Sequence, residues 1–286
     1  MTDIDLGIMF NTDRLSGSEL LDYARRVEAA GIGSVWLAEL FGREPFAAAG
    51  ALLGATTTLR VGTAIANVYA RDAVAAAAAS ATLAEASDNR FELGLGVSNR
   101  GLVERRGHAW DPPAPRLRAY LEAVRSAPIT LPEHHYPIHV AAHGPRMLEV
   151  AAEGADGVFT YLMTPEHTAR TRAALPESAG LAPMMMCLLW EEADEARRLV
   201  RKAIAFYIDL DYYQRAWRAL GFEDVDFAGG GSDRLVDSVV AWGSIEAIGG
   251  RIAAQREAGA SRLVVIPLNP AGGREPAWEL IERLGS

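Results

Sequence analysis

One cysteine, Cys187, stands in 286 residues, inside the apolar run PMMMCLLW. A single thiol excludes an intramolecular disulfide and a thiolate metal cluster, and suits a reducing cytoplasm. The chain also lacks positive excess, with 28 Lys and Arg against 37 Asp and Glu and a formal charge of −9. That balance argues against broad attraction to nucleic acid or anionic lipid and leaves room only for a local cationic pocket. No apolar run reaches the roughly 18 residues that span a bilayer, and the opening MTDIDLGIMFNTD carries acids where a secretory leader needs a basic start. These absences predict a cytoplasmic protein with a small-molecule substrate and no nucleic-acid or membrane partner.

What is present is core-forming material: 50% of residues are hydrophobic and 23% charged, enough for the chain to fold on its own. Eight short apolar runs read as strands, at 4–10, 34–39, 59–67, 91–97, 137–142, 157–161, 183–190 and 262–268. Helical patterns separate them, such as SGSELLDYARRVEAAG with Ser18 as a candidate cap and Gly31 as its stop. Alternating strands and helices demand parallel pairing, because each crossover carries a helix. Eight units predict an α/β fold, a (β/α)8 TIM barrel forming one domain over 1–286, with a doubly wound open sheet as the alternative. From Glu191 to Gly259 no strand is evident, so about 191–260 reads as a helical insertion between strands seven and eight. An insertion there projects from the C-terminal rim, as a lid or pocket wall or as padding of the outer ring.

The segment HVAAHGPRMLEV ends a strand at Ala142 and starts a helix near Gly144, Pro145 and Arg146. A helix start offers unpaired N–H groups and the positive end of a dipole, which suit an anionic group. Trp36, Tyr69, Tyr161 and Trp190 fall at strand ends, where aromatics wall a flat ligand or simply fill space. DLDYYQRAW divides in the same way between pocket wall and helix packing. His134-His135 has no third ligand at helical spacing, so no metal site is assigned.

Five segments in order, SVWLAELFGRE, VGTAIANVYARD, FELGLGVSN, AAHGPRMLEVAAEGADGVFTY and GGGSDRLVDSVVAWG, span nearly the whole chain. Together they resemble the luciferase-like monooxygenase superfamily, and within it the actinobacterial coenzyme F420-dependent oxidoreductases. The resemblance implies a barrel with a helical insertion before the last strand and a non-prolyl cis peptide at Ala64-Ile65 backing the cofactor ring. It implies that Asn67 and Ser98 offer polar contacts to the cofactor, and that Glu39 does too unless Arg43 or Arg71 holds it in a salt bridge. It places the cofactor phosphate on the stretch Ala142, Gly144, Pro145 and Arg146, with Thr160 and Tyr161 nearby.

Leu40 and Asn99 depart from the His and Glu of sugar-phosphate dehydrogenases in this superfamily, which removes their acid/base pair. Asn99 and His108 are the remaining candidates for the catalytic role, with His143 a further possible proton donor. The function expected is hydride transfer between F420 and a small organic substrate. One alternative is an FMN-dependent monooxygenase using oxygen and a partner reductase; another is a non-catalytic cofactor-binding protein. Family habit and the Ala-rich helix AVAAAAASA imply a homodimer.

Overall fold

The computed structural model describes residues 4–132, 135–273 and 275–286. Each barrel unit begins with a strand that has no exposed residue: β1 Asp5–Met9, β2 Ser34–Leu37, β3 Arg60–Thr63 and, after a two-residue break, β4 Ala66–Asn67. β5 Phe91–Gly96, β6 Ile138–Ala141, β7 Gly157–Tyr161 and β8 Gly180–Leu189 follow, then a short β9 Ala241–Gly243 and β10 Arg262–Pro267. All pairings are parallel, and β10 pairs with both β1 and β8, which closes the sheet. β3 and β4 are one stave broken at its top, since β3 pairs β5 at Val61 and Phe91 while β4 pairs it at Ala66 and Leu95. Eight staves result, the expected barrel.

The helices on the outside are α1 Gly17–Ala29, α2 Pro45–Ala55, α3 Ala73–Ala86, α4 Arg100–Arg105, α5 Pro113–Arg125, α6 Pro145–Gly154 and α7 Pro165–Ala174. After β8 come α8 Ala193–Ile208, α9 Asp211–Ala219, α10 Asp224–Phe227 and α11 Asp233–Val239, then α12 Ile245–Glu257 and, last, α13 Trp278–Gly285. The cap of α1 is Ser16, two residues before the one expected. Its hydroxyl accepts from the Glu19 N–H while its own N–H donates to Glu19 Oε2 at 2.7 Å, a reciprocal capping box that Ser18 cannot make.

The region read as strandless contains β9, which pairs with Cys187–Leu189 at the upper end of β8. Three residues, Ala-Trp-Gly, are too few to show a period. α12 packs on β8, β9 and β10 and completes the outer ring, so the excursion beyond the barrel plan ends near Val240.

Inside the barrel the lower end is ionic. Glu92 accepts from His139 Nε2 at 2.8 Å and from Arg262 Nη1 at 2.6 Å, and Asp5 binds Arg262 Nε at 2.6 Å and Arg60. Above it lies Trp36, fully buried, edge-on to Phe159 at 4.9 Å and donating its indole N–H to Ser34 Oγ at 2.9 Å. Gly62 is obligatory beside it, because any Cβ there would collide with the indole. This plug makes the barrel's upper half a closed-bottomed bowl.

Candidate active site

The bowl opens at the C-terminal ends of the strands into a cavity of about 1680 Å³. Its wall includes Glu39, Ala64, Ile65, Asn67, Ser98, Asn99, Gly144, Pro145, Thr160 and Tyr161 from the residues singled out in the sequence. Three others fall elsewhere. Ala142, just past β6, is buried in the core between barrel and helices, whereas Ala141 before it lines the cavity. Arg146 is an exposed residue of the first turn of α6 and does not line the cavity. His108 is also exposed, because the chain reverses at Gly107 (φ +85°) and the imidazole packs near Tyr69 outside the cavity.

The break between β3 and β4 is a cis peptide at Ala64-Ile65, the bond the resemblance implied. Gly96 opposite it leaves room for the Ile65 side chain, which a Cβ would strike. Glu39 organises the exit from this turn. Its Oε2 accepts the Asn67 backbone N–H at 2.8 Å, and its two oxygens take Arg71 Nη1 and Nη2, each at 2.8 Å. Arg71 wins the pairing foreseen for Arg43 or Arg71; Arg43 instead binds the carbonyls of Thr12 and Leu15. Burial would lower the Arg71 pKa, but its hydrogen bonds to Glu39 and the charges of Glu39 and Glu44 outweigh this and raise it. Glu39 is therefore a satisfied carboxylate that fixes backbone, with no free base face.

Asn67 is 4% exposed, and its Oδ1 accepts from the Tyr69 N–H at 3.0 Å. Its Nδ2 has no partner among the described residues and belongs to the cavity wall. Asn99 is the cap of α4, its Oδ1 taking the Leu102 N–H at 3.1 Å, and Ser98 before it sits at φ +61°. The α4 cap role was not foreseen for Asn99, and it occupies the acceptor end of that amide.

α6 begins at Gly144 without a side-chain cap. Met147 and Leu148 both donate to the Gly144 carbonyl, whereas the N–H groups of Gly144 and Arg146 have no acceptor among the described residues. Gly144 is extended, at φ −107° and ψ 163°, so its lack of a side chain is no conformational requirement. A Cβ there would meet no protein atom within 4 Å. Open space stands in front of free donors.

His143 beside it accepts the Tyr161 N–H on Nε2 at 3.2 Å, which places its proton on Nδ1. Burial, reinforced by His167, pulls its pKa down to about 3, so it is a neutral imidazole and no proton donor at neutral pH. His167 donates from Nε2 to the His143 carbonyl at 3.1 Å, leaving Nδ1 for the Thr171 hydroxyl; burial lowers its pKa too. Two buried polar atoms in this wall, His143 Nδ1 and Thr160 Oγ1, have no partner among the described residues.

Of the four aromatics expected at the site, only Tyr161 reaches the cavity. Trp36 is the plug below, Tyr69 stacks on Trp110 and accepts the Asp111 N–H, and Trp190 is 40% exposed beyond β8. The aromatic roof comes instead from DLDYYQRAW together with Tyr207 near the end of α8. Tyr213 packs edge-on against Tyr207 at 5.4 Å and His143 at 5.1 Å, and Tyr207 against Tyr161 at 5.0 Å. Burial pushes the Tyr161 and Tyr213 hydroxyls well above the ordinary tyrosine range. Trp217 anchors the roof by donating to the Leu162 carbonyl at 3.0 Å. Local periodicity could show α9 as a helix, but not which element it would cover. Of the His134-His135 pair, His134 lies outside the described residues, and the His135 N–H donates to Asn89. Cys187 is buried, its thiol pushed up to about 12 by burial, and no described helix is long and apolar enough to cross a membrane.

Three comparisons bear on this site. The family model described as luciferase-like monooxygenase matches residues 5–262. A 5,10-methylenetetrahydromethanopterin reductase of Methanolobus tindarius is 27% identical over 187 residues, which cover 58% of this chain and 57% of the relative. The chain thus matches little more than half the length of that relative. A Mycobacterium tuberculosis protein named as a coenzyme F420-dependent oxidoreductase is 24% identical, with 88% of this chain and 90% of the relative covered. Among solved structures, the coenzyme F420-dependent tetrahydromethanopterin reductase of Methanopyrus kandleri superposes with a TM-score of 0.77 at 18% identity, covering 99% of this chain and 98% of that one. At that identity the superposition establishes a shared fold.

Proposed function

The chain belongs to the luciferase-like monooxygenase family, and from that membership we propose an oxidoreductase that holds coenzyme F420 in the strand-end cavity and moves a hydride between it and a small organic substrate. One observation carries this reading: an unpaired amide donor on Asn67 and an uncapped helix start at Gly144 line a single cavity. A flat redox ring with a phosphate tail needs a floor, a polar edge and an anion seat. Ala64-Ile65 supplies the floor, Asn67 Nδ2 a donor to the ring edge, and the N–H groups of Gly144 and Arg146 the seat. The unpartnered His143 Nδ1 and Thr160 Oγ1 fit a wall completed by a polar ligand.

Bound there, the deazaflavin would supply a two-electron hydride carrier. Glu39 and Arg71 hold Asn67 in place, His143 stays uncharged, and Tyr207, Tyr212 and Tyr213 roof the cavity. Leu40 and Asn99 provide no acid/base pair, so sugar-hydroxyl oxidation is disfavoured. Titration with F420 and, separately, FMN, followed by fluorescence quenching, tests the reading. Saturable F420 binding supports it. Saturable FMN binding without a response to F420 transfers the site to an oxygen-using flavin monooxygenase served by a separate reductase. A homodimer belongs to the same reading, with α3 turning Val74, 49% exposed, and the neighbouring Ala75 outward.

A further inference from the structure

The cavity wall is chemically divided. Every free or unpartnered polar group described above stands on the staves from β4 round to β7. Of the four remaining staves, β2 adds Ala38, Glu39 and Leu40 just past its end, with Glu39 already paired to Arg71, while β8, β10 and β1 contribute Met184, Met186, Ile266 and Met9 to the cavity, and no ionisable side chain of the wall stands on these three strands. Alternation explains the choice on β8: in the run of three methionines, 184 and 186 face the bowl while Met185 packs outward into the core beneath the helices. Just past β1, Asn11 Oδ1 accepts the Asp13 N–H at 3.0 Å and Asp13 Oδ1 the Arg43 N–H at 2.8 Å, and both residues are exposed at the cavity's edge, away from its buried floor.

At the mouth, large apolar side chains stand beside exposed charges, Asp209 and Asp211 among them. Leu40, Phe206 and Tyr212 border the cavity and are 45%, 54% and 39% exposed, so large hydrophobic surface faces water where a ligand enters. Of the cavity's arginines, Arg170 is held by Glu166 and the Ala219 carbonyl, and Arg100 and Arg215 are exposed at the edge. Among the described residues of the wall, a phosphate or carboxylate on a substrate would find no buried cation.

From this division we propose that the substrate is a neutral, largely hydrocarbon or aromatic molecule, seated on Met9, Met184, Met186 and Ile266 and covered by the tyrosine roof. The proposal rests on the cofactor reading, which assigns the polar staves to the deazaflavin. Thioether floors are polarisable and pliable, so the seat accepts varied apolar shapes while rejecting charge.

Nile red, a neutral dye that brightens out of water, tests this when titrated into the full chain loaded with oxidised F420. The expected result is one saturable site, weakened at least tenfold in M184Q/M186Q, which keeps side-chain length and adds polarity, with F420 binding unchanged. Glucose 6-phosphate should not displace the dye. Displacement by the sugar phosphate, or equal dye affinity in the variant, overturns the proposal. Where circular dichroism shows the double variant unfolded, M9Q carries the same comparison with the same two outcomes. F420 bound with no dye captured overturns the substrate class alone. Dye captured without F420 binding fails the cofactor reading, and the division of the cavity falls with it.

Discussion

Arg71 holds Glu39 through two hydrogen bonds of 2.8 Å across 32 residues of sequence, and the same carboxylate secures the Asn67 N–H. The pair is nearly buried, with side-chain exposures of 15% and 7%. Glu39→Gln keeps an acceptor for Asn67 but leaves the guanidinium without its counter-charge. Breaking such a pair costs about 3 kcal/mol, which urea denaturation will register, and cofactor affinity should fall with it. Unaltered stability would show that the pair does not hold this turn.

The lower barrel predicts sensitivity to acid. Burial alone would raise the Glu92 pKa, but hydrogen bonds from His139 and Arg262 and the charge of Arg262 bring it down to about 2. A folded-state value below the unfolded one means that the stabilisation is complete above about pH 4.3 and drains away as pH falls toward 2. Melting temperature measured from pH 6 to pH 2.5 should drop through that window. Glu92→Gln should start lower and drop less.

His143 makes the opposite kind of statement for a base. Its pKa is depressed to about 3, so the neutral ring is the folded form, and its contribution is lost only as pH falls below about 6.5 toward 3. Nitrogen chemical shifts should show a proton on Nδ1 and none on Nε2 from pH 8 down to pH 5. An imidazolium at pH 6 would contradict the Tyr161 hydrogen bond.

Gly144 separates folding from binding. Because its backbone is extended and its surroundings open, Gly144→Val should leave the melting temperature within a degree or two. Its side chain would stand before the α6 donors, and a tenfold loss of F420 affinity, about 1.4 kcal/mol, is expected by titration. Full affinity would put the phosphate elsewhere.

Val74 tests assembly. A charge at this exposed position of α3, as in Val74→Arg, should convert a dimer to monomers in sedimentation velocity without loss of fold. A wild-type chain that sediments as a monomer removes the homodimer from the reading.

Much of this was legible in the residues. All eight staves lie within a few residues of the apolar runs that announced them, since a buried parallel strand is a contiguous apolar segment. β8 begins at Gly180, three residues before its run, because pairing with β7 extends the strand through Gly180-Leu181-Ala182. The α6 start was legible in the Gly-Pro break itself and the cis turn came through resemblance; the structure has both. What stayed hidden depends on distance in sequence: Arg71 choosing Glu39, Trp36 turning down into the barrel, and α9 bringing Tyr213 over His143. No window of a dozen residues contains those choices.

β9 ties the returning chain to Cys187–Leu189, the same edge from which α8 departs. Departure and return share one hinge line, so residues 190–240 form an excursion clamped at its base, and its length can change at little entropic cost. Variation in that stretch would remodel the ceiling over the substrate while the staves beneath kept their register. New specificities could then arise by exchanging the canopy alone.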